Sequence, residues 1–259
     1  RHYKYALCSQ GSQGVMALIE LFKRRVDLNS IHVLTFESNF NRVFIDYLHF
    51  NKMEYCVIKD KKDLVDVFDQ NVYDILISAG FRYIFTKPML AKIQIAAVNF
   101  HPGLLPNYRG SFSTAWSIIN GEKYVGYTYH YIATKVDSGN IIVQRKFLIG
   151  EEDTSHSLHY RIWQNGLSEL GMVIDKCLAG FEGEVQAFDG IFYPNKLPYE
   201  GLIDPEWDET LIHRFIRSMY FPPFKPARLQ NGNAEYYFSN VHEYKNYFKT
   251  QRGVNESND

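Results

Sequence analysis

Short apolar runs alternate with helix-like stretches through the first 100 residues. The runs are rich in β-branched and aromatic residues and occupy positions 5–8, 31–36, 55–58, 73–78 and 96–100. Strands that alternate with helices favour a parallel sheet covered by helices. We therefore predict an α/β fold with an open, mostly parallel, Rossmann-like sheet.

The pattern changes after residue 100. Two strands are predicted at 124–132 and 140–147, followed by one long helix at 154–178. Further predictions are a linker at 197–205, a helix at 209–218 and a β-hairpin that turns at Asn231-Gly232. We predict a main domain at 1–190, a small C-terminal subdomain with a helix and a β-hairpin at 191–250, and a disordered tail at 251–259.

Composition limits the classes of partner. The 259 residues carry a formal net charge of −1, and this argues against a nucleic-acid polymer as partner. No apolar run approaches the ~20 residues of a membrane helix, so we expect no membrane partner. Aromatic residues make up 16% of the chain, and either a ring-lined ligand pocket or an aromatic-rich core would account for them.

The three cysteines, Cys8, Cys56 and Cys177, lie far apart. Cys8 and Cys56 lie in apolar, strand-like runs, so buried free thiols are expected, and with them a cytoplasmic location. The histidines do not follow the HxxxH spacing of zinc sites, and no metal is predicted.

The first strand ends in a glycine-containing loop. Ser9, Gln10 and Gly11 stand at the carboxyl end of this strand, where open α/β sheets bind ligands. The backbone N–H groups of such a loop can hold a phosphate at a helix N-terminus. The loop has neither a GxGxxG nor a P-loop pattern, so an ordinary strand-to-helix turn is the alternative.

Asn99 and His101 end the fifth predicted strand. Because side chains alternate along a strand, the two point to the same side. The turn formers Pro102, Gly103 and Pro106 follow and favour a defined loop. An amide and an imidazole are thus predicted to face one cleft, where they are either catalytic groups or local hydrogen-bond partners.

Asp137 lies in an Asp-Ser-Gly turn between two predicted strands, with Thr128 and His130 on the strand before it. The turn would place this carboxylate over the same cleft. No serine has the context of an activated nucleophile. The set of Asn99, His101 and Asp137 therefore suits direct transfer of a group to a nucleophile of the substrate.

Two motifs in this chain resemble those of the folate-dependent formyltransferases. The first, N-x-H-x-x-LLP-x-(Y/W)-R-G, is matched by residues 99–110, with Gly103 where many relatives have Ser. The second, G-x-T-x-H followed by D-x-G, is matched by residues 126–130 and 137–139. The resemblance covers about residues 5–185.

The resemblance implies an N-formyltransferase that uses 10-formyltetrahydrofolate and no metal. Asn99 and a protonated His101 would donate hydrogen bonds to the developing oxyanion. Asp137 would orient His101 and help to remove the amine proton. Folate contacts are expected from Ala79, Gly80, Phe81, Tyr83, Ile84 and Leu104. Ser9, Gln10, Gly11 and Arg82 are expected to contact the second substrate.

Members of this family differ in the amine that they formylate. Most similar are the enzymes that act on a dTDP-linked amino-dideoxy sugar, with a 4-amino-4,6-dideoxyhexose favoured and a 3-amino-3,6-dideoxyhexose as the other choice. This implies a role in O-antigen or surface-glycan synthesis. The alternatives are a methionyl-tRNA formyltransferase, a ribonucleotide formyltransferase and a non-catalytic folate-binding module.

An aromatic segment near the C-terminus is the candidate nucleotide site. Tyr220, Phe221 and Phe224 are predicted to stack on a base, with Arg217 and Lys225 close to phosphates. Trp116 is predicted to form a wall for the sugar, or else to belong to the core. We also expect a homodimer that forms through the C-terminal hairpin.

Overall fold

The computed structural model describes residues 2–256. Its strands are β1 (Tyr5–Ser9), β2 (Ile31–Thr35), β3 (Tyr55–Val57), β4 (Tyr73–Ala79), β5 (Ile93–His101), β6 (Arg109–Gly110), β7 (Tyr124–Tyr131), β8 (Ile141–Leu148), β9 (Phe192–Tyr193), β10 (Ala227–Asn231) and β11 (Ala234–Phe238). Its α-helices are α1 (Gly11–Lys23), α2 (Arg42–Phe50), α3 (Lys61–Gln70), α4 (Lys87–Leu90), α5 (Ser113–Ile119), α6 (Ser155–Ser168), α7 (Leu170–Leu178), α8 (Glu209–Met219) and α9 (Val241–Glu256).

Seven strands form one sheet in the order β3-β2-β1-β4-β5-β7-β8. The first five strands pair in parallel, and β7 runs antiparallel to β5. The mostly parallel α/β sheet and the separate hairpin of β10 and β11 are thus confirmed. The strand order reverses at β1, and ligands of doubly wound sheets bind at such a point.

The register of the strands brings the predicted site residues to one edge of the sheet. Ser9 at the end of β1 pairs with Ala79 at the end of β4, and Ala79 pairs with Phe100 near the end of β5. The carboxyl ends of β1, β4 and β5 therefore lie side by side.

Two helical regions differ from the prediction. The single helix expected at 154–178 is divided into α6 and α7, with Glu169 between them. The final helix α9 was not predicted, and it continues to Glu256, inside the segment expected to be a disordered tail. Residues 257–259 of that tail lie outside the described residues.

The described residues form two compact units. The first contains the chain up to Arg109 together with residues 126–145 and 162–191, and the second contains residues 110–125, 146–161 and the chain from Phe192. The predicted boundary near 190 coincides with one of these junctions, but the second unit also includes two earlier segments. Residues 113–119 belong to it because α5 packs against α8: Ala115 and Ile119 share a buried core with Phe215 and Ile216.

The core of the first unit lies on the sheet. Ala6, Leu34, Leu76 and Phe68 are among its enclosed side chains, as expected for parallel strands that are covered by helices. Cys8 is a buried free thiol as predicted, whereas Cys56 is free but only partly buried; Cys177 is also a buried free thiol. Within residues 2–256, no helix is long and apolar enough to cross a membrane.

Candidate active site

Asn99 and His130 face each other across β5 and β7. They are paired in the antiparallel register, and Asn99 Nδ2 lies 3.1 Å from His130 Nε2. His130 Nδ1 lies 2.8 Å from the carbonyl oxygen of Tyr131, which can only accept, so Nδ1 carries the hydrogen. In the neutral ring Nε2 then accepts one N–H of Asn99. Among the described residues, the other N–H of the Asn99 amide has no hydrogen-bond partner, so a ligand can accept it.

His101 is the next inward-facing residue of β5. Its side chain is 4% exposed, and Nε2 lies 2.7 Å from the carbonyl oxygen of Tyr108, so Nε2 carries the hydrogen. Burial lowers the pKa of His101, although the nearby Asp137 carboxylate opposes the shift. The ring is therefore neutral at neutral pH, with its lone pair on Nδ1. This corrects the expected protonated His101, and its Nε2–H is already bonded to the protein.

Asp137 lies over the two histidines, where the sequence predicted it. Its Oδ2 is 3.5 Å from His101 Nδ1, and its Oδ1 is 3.4 Å from His130 Nε2. The side chain is 9% exposed, and the residue has a left-handed φ of 51°. A non-glycine residue in this conformation costs on the order of 1 kcal/mol, so other contacts must hold the turn.

Hydrogen bonds from two polar side chains, Thr128 and Gln144, hold the loop after His101 in place. The buried Thr128 Oγ1 donates to the carbonyl of Gly103 (2.7 Å) and accepts from the backbone N–H of Leu105 (3.2 Å). Gln144 Nε2 donates to the carbonyl of Leu105 (2.8 Å) and to Thr128 Oγ1 (2.9 Å). Leu104, a predicted folate contact, is half-buried at the centre of this clamp. Sequence reasoning missed Gln144, since only the strand pairing shows where it points.

The loop after β1 differs from a phosphate cradle. The backbone N–H of Gly11 donates to Oδ1 of the buried Asn41 (2.9 Å), so it is already used within the protein. Gln10 Oε1 accepts from Ser38 Oγ (2.9 Å). Ser9 is completely enclosed and donates to the carbonyl of Ala79 (2.6 Å), which corrects its predicted contact with substrate.

The segment after β4 holds the remaining predicted folate contacts. Gly80 has a left-handed φ of 70°, and an added Cβ there would touch Trp163 at 3.5 Å. A glycine therefore leaves the backbone open to a ligand at the carboxyl end of β4. Ala79 is buried in the strand just before it, and Ile84 is 60% exposed a few residues later.

Phe81 and Tyr83 belong to an aromatic cluster with Phe36. Ring centroids are 5.7 Å apart for Phe36 and Phe81, and 5.5 Å apart for Phe81 and Tyr83. The guanidinium of Arg82 lies over the rings of Phe36 (4.7 Å) and Tyr83 (4.9 Å). Tyr83 donates its hydroxyl to the carbonyl of Lys59 (2.7 Å). These contacts give the cluster a fixed, ring-lined surface with one cation above it.

Trp116 lies in the second unit. Its ring stacks on Tyr193 with a centroid distance of 4.9 Å and lies 5.5 Å from Tyr199. It also lines an open cavity of about 650 Å³ together with Tyr199 and Trp207. The stacking contacts of Trp116 fit the predicted role in the core, and its place in the cavity lining fits the predicted role as a wall for a sugar.

The aromatic C-terminal segment also belongs to the second unit. Phe221 packs edge-on against His156 (5.5 Å) and His159 (5.0 Å), and Tyr220 lies 6.2 Å from His156. Phe224 is 57% exposed, so among these three predicted stacking residues it has the most ring surface available to a base.

The two cations predicted near this segment have partners in the protein. Arg217 Nη1 donates to the carbonyls of Asp153 (2.6 Å) and Gly150 (3.3 Å), so part of the guanidinium is used within the protein. Lys225 Nζ lies 3.3 Å from the hydroxyl of Tyr237 and remains exposed. In the described part of the chain, no three His, Cys, Asp or Glu side chains are grouped to hold a metal.

Known proteins of one family are similar to this chain. The formyl transferase family model matches residues 39–173, more than half of the 259 residues. A GDP-perosamine N-formyltransferase of Brucella melitensis is 40% identical over 172 residues, which are 66% of this chain and 66% of that protein. The chain therefore matches slightly less than two thirds of that relative's length.

Solved structures share the fold. A 4-N formyltransferase from Francisella tularensis superposes with a TM-score of 0.74 at 20% sequence identity. The match covers 92% of this chain and 98% of the Francisella chain. An N-formyltransferase from Helicobacter canadensis, in complex with folinic acid and dTDP-3-aminofucose, superposes with a TM-score of 0.72 at 18% sequence identity. The match covers 89% of this chain and 84% of the Helicobacter chain. The family match, together with Asn99, His101 and Asp137 in one cluster, shows that this chain belongs to the formyl transferase family.

Proposed function

We propose that the protein transfers a formyl group from 10-formyltetrahydrofolate to the amine of a nucleotide-linked amino sugar. The observation that carries the proposal is the cluster of Asn99, His101 and Asp137, which offers an amide donor, an imidazole lone pair and a carboxylate within one site. Formyl transfer needs these three functions and no nucleophile on the protein.

The site fits a folate donor chemically. The donor supplies an electrophilic formyl carbon when it is bound. The open backbone at Gly80, with its φ of 70°, and the ring surface of Phe81 and Tyr83 suit a flat heterocycle. Leu104 is held by the clamp of Thr128 and Gln144, so an apolar contact is fixed beside the catalytic residues. Folinic acid in the Helicobacter canadensis structure supports this assignment.

The roles of the residues follow from their hydrogen bonds. The free N–H of Asn99 stabilises negative charge on the formyl oxygen. Nδ1 of neutral His101 accepts a proton from the attacking amine, and the Asp137 carboxylate stabilises the imidazolium that results. Over the whole reaction, a bond forms between the amine nitrogen and the formyl carbon. The bond between the formyl carbon and N10 of the folate breaks. One amine proton leaves to the His101–Asp137 pair, and one proton is returned to N10.

The acceptor is proposed at two levels of detail. A nucleotide-linked amino sugar is supported by the Brucella melitensis relative and by the Helicobacter canadensis complex. The 4-amine is favoured because the Francisella tularensis structure is a 4-N formyltransferase. The sequence favours a dTDP sugar, whereas the relative at 40% identity is named for a GDP sugar, so both nucleotides are candidates.

A direct assay tests the proposal. Purified protein is incubated with 10-formyltetrahydrofolate and, in parallel, with GDP-perosamine, a dTDP-4-amino-4,6-dideoxy sugar, dTDP-3-aminofucose and methionyl-tRNA. Mass spectrometry should show the gain of one formyl group on a sugar nucleotide, and the His101→Ala variant should lose it. Formylation of methionyl-tRNA alone would show another acceptor, and no turnover on any of the four would contradict the proposal.

A further inference from the structure

Residues 182–189, here called the strap, run alongside the turn that carries Asp137. Asn140 donates its side-chain amide to the carbonyl of Glu182 (3.0 Å). Glu184 and Ile141 exchange two backbone hydrogen bonds of 2.8 Å each. The strap lies beyond residues 39–173, which the family model matches, so it is not part of the matched segment.

The C-terminal end of the strap, at Asp189, is held by two ion pairs. Asp189 Oδ1 pairs with Arg109 Nη1 (2.5 Å), and Oδ2 pairs with Lys135 Nζ (2.6 Å). The buried Arg109 also donates from Nε (3.0 Å) and Nη2 (2.6 Å) to the carbonyl of Val136, the residue before Asp137. Both ends of the strap are thus anchored beside the turn.

Gln186 lies between these anchors. Its Nε2 lies 2.9 Å from the carbonyl of Asp137 and 2.8 Å from the carbonyl of Gly139, so one amide group donates to both. These carbonyls flank the turn in which Asp137 has its left-handed backbone. A residue in this conformation persists where its surroundings fix it.

We infer that Gln186 is a positioning residue, which holds the Asp137 turn so that the carboxylate faces Nδ1 of His101 and Nε2 of His130. The inference rests on the proposed function for its kinetic consequence. The geometric consequence, a carboxylate 3.5 Å from His101, is independent of any substrate.

The first test is kinetic. Gln186→Met keeps the length of the side chain and removes both donated hydrogen bonds. Because a displaced catalytic group can lower the rate by up to about 100-fold, kcat should fall by roughly 10- to 100-fold while the KM values for both substrates change little. Gln94→Met, at an exposed glutamine near the amino end of β5, is the matched control and should retain wild-type kcat. A Gln186→Met enzyme with wild-type kcat would overturn the inference.

The second test requires no activity. Asp137 raises the pKa of His101, so movement of the carboxylate away should lower the pH at which the ring titrates. The ring protons of His101 are followed by NMR against pH in wild type and Gln186→Met. An unchanged midpoint would overturn the positioning role even if wild-type protein formylates no sugar.

Gln186→Glu replaces Gln186→Met in the NMR titration if Gln186→Met does not fold. It has the same shape but places an acceptor oxygen against the two carbonyls, so it should displace the turn and shift the titration of His101 in the same assay. If the His101 midpoint stays at its wild-type value in folded Gln186→Glu, the inference is wrong.

Discussion

Asn99 Nδ2 and His130 Nε2 lie 3.1 Å apart across two antiparallel strands. In the neutral ring, His130 Nε2 accepts one N–H of the amide, and this fixes the direction of the other N–H. An oxyanion donor that is held in place before the reaction needs no reorganisation when charge develops. Under the proposed function, the hydrogen bond between Asn99 and His130 therefore holds the amide ready to donate to the oxyanion.

Removal of this donor should lower the rate. For Asn99→Ala we expect kcat to fall by about 10²- to 10³-fold, the usual effect of losing one oxyanion donor. Steady-state kinetics with saturating donor measure it. Asn107→Ala changes an exposed asparagine of the neighbouring loop and should keep wild-type kcat. A loss confined to the KM for the sugar would instead indicate that Asn99 binds substrate without stabilising charge.

His101 should determine the acid limb of the pH profile. Burial holds its pKa below the ordinary 6.5, and its lone pair is available only above that pKa. We therefore expect kcat to fall on acidification with a midpoint below pH 6.5 and to be constant from there toward neutral pH.

The His101→Ala variant should lose this limb together with about 10²- to 10⁴-fold in kcat. The measurement is kcat at saturating substrates over a range of pH. An acid limb centred above pH 6.5 would mean that another group, or a protonated His101, is required.

For the candidate catalytic groups, the sequence predicted the positions better than the protonation states. Alternation along a strand placed Asn99 and His101 on one side, and the turn placed Asp137 above them. The protonation of His101 was mistaken because it depends on burial and on the carbonyl of Tyr108, and neither is visible in the sequence. Local motifs report which side chains are near a site, whereas pKa values depend on the whole surrounding core.

Contacts across long sequence separations explain the other differences. The Gly11 N–H was expected to be open to a phosphate, but Asn41, 30 residues later, occupies it. Similarly, Gln144 donates a hydrogen bond to the carbonyl of Leu105, which lies 39 residues earlier in the loop after His101. Such contacts depend on strand register and on how the helices pack. The periodicity of apolar residues in the sequence predicts neither of these.

The clamp of Gln144 should be needed for donor binding. Gln144→Leu removes the hydrogen bonds to Leu105 and Thr128 and leaves the loop around Leu104 less restrained. We expect the unfolding free energy to fall by about 1–3 kcal/mol. The KM for 10-formyltetrahydrofolate should rise by about tenfold, which corresponds to ~1.4 kcal/mol of binding.

Urea titration and donor-dependent kinetics measure these two effects. Gln70→Leu, at the exposed end of α3, is the matched control and should leave both quantities unchanged. A stable Gln144→Leu variant with wild-type KM for the donor would show that the clamp does not affect the folate site.

His159 in α6 should make stability depend on pH. Burial and the neighbouring His156 lower the pKa of His159 to about 4, against an ordinary value of 6.5. Between these two values the unfolded chain binds more protons at this site than the folded chain, so the unfolding free energy rises with pH through this window. The contribution is complete above pH 6.5 and is lost as the pH falls toward 4. Its size is about 3 kcal/mol, from 1.36 kcal/mol per pKa unit.

A neutral side chain at position 159 removes this dependence. For His159→Gln we expect a smaller slope of unfolding free energy against pH between pH 4 and 6.5, as measured by urea titration at several pH values. His213 has a lowered pKa as well but is less enclosed, so His213→Gln should change the slope less. If His159→Gln and wild type show the same slope, protonation of His159 does not limit the acid stability of the fold.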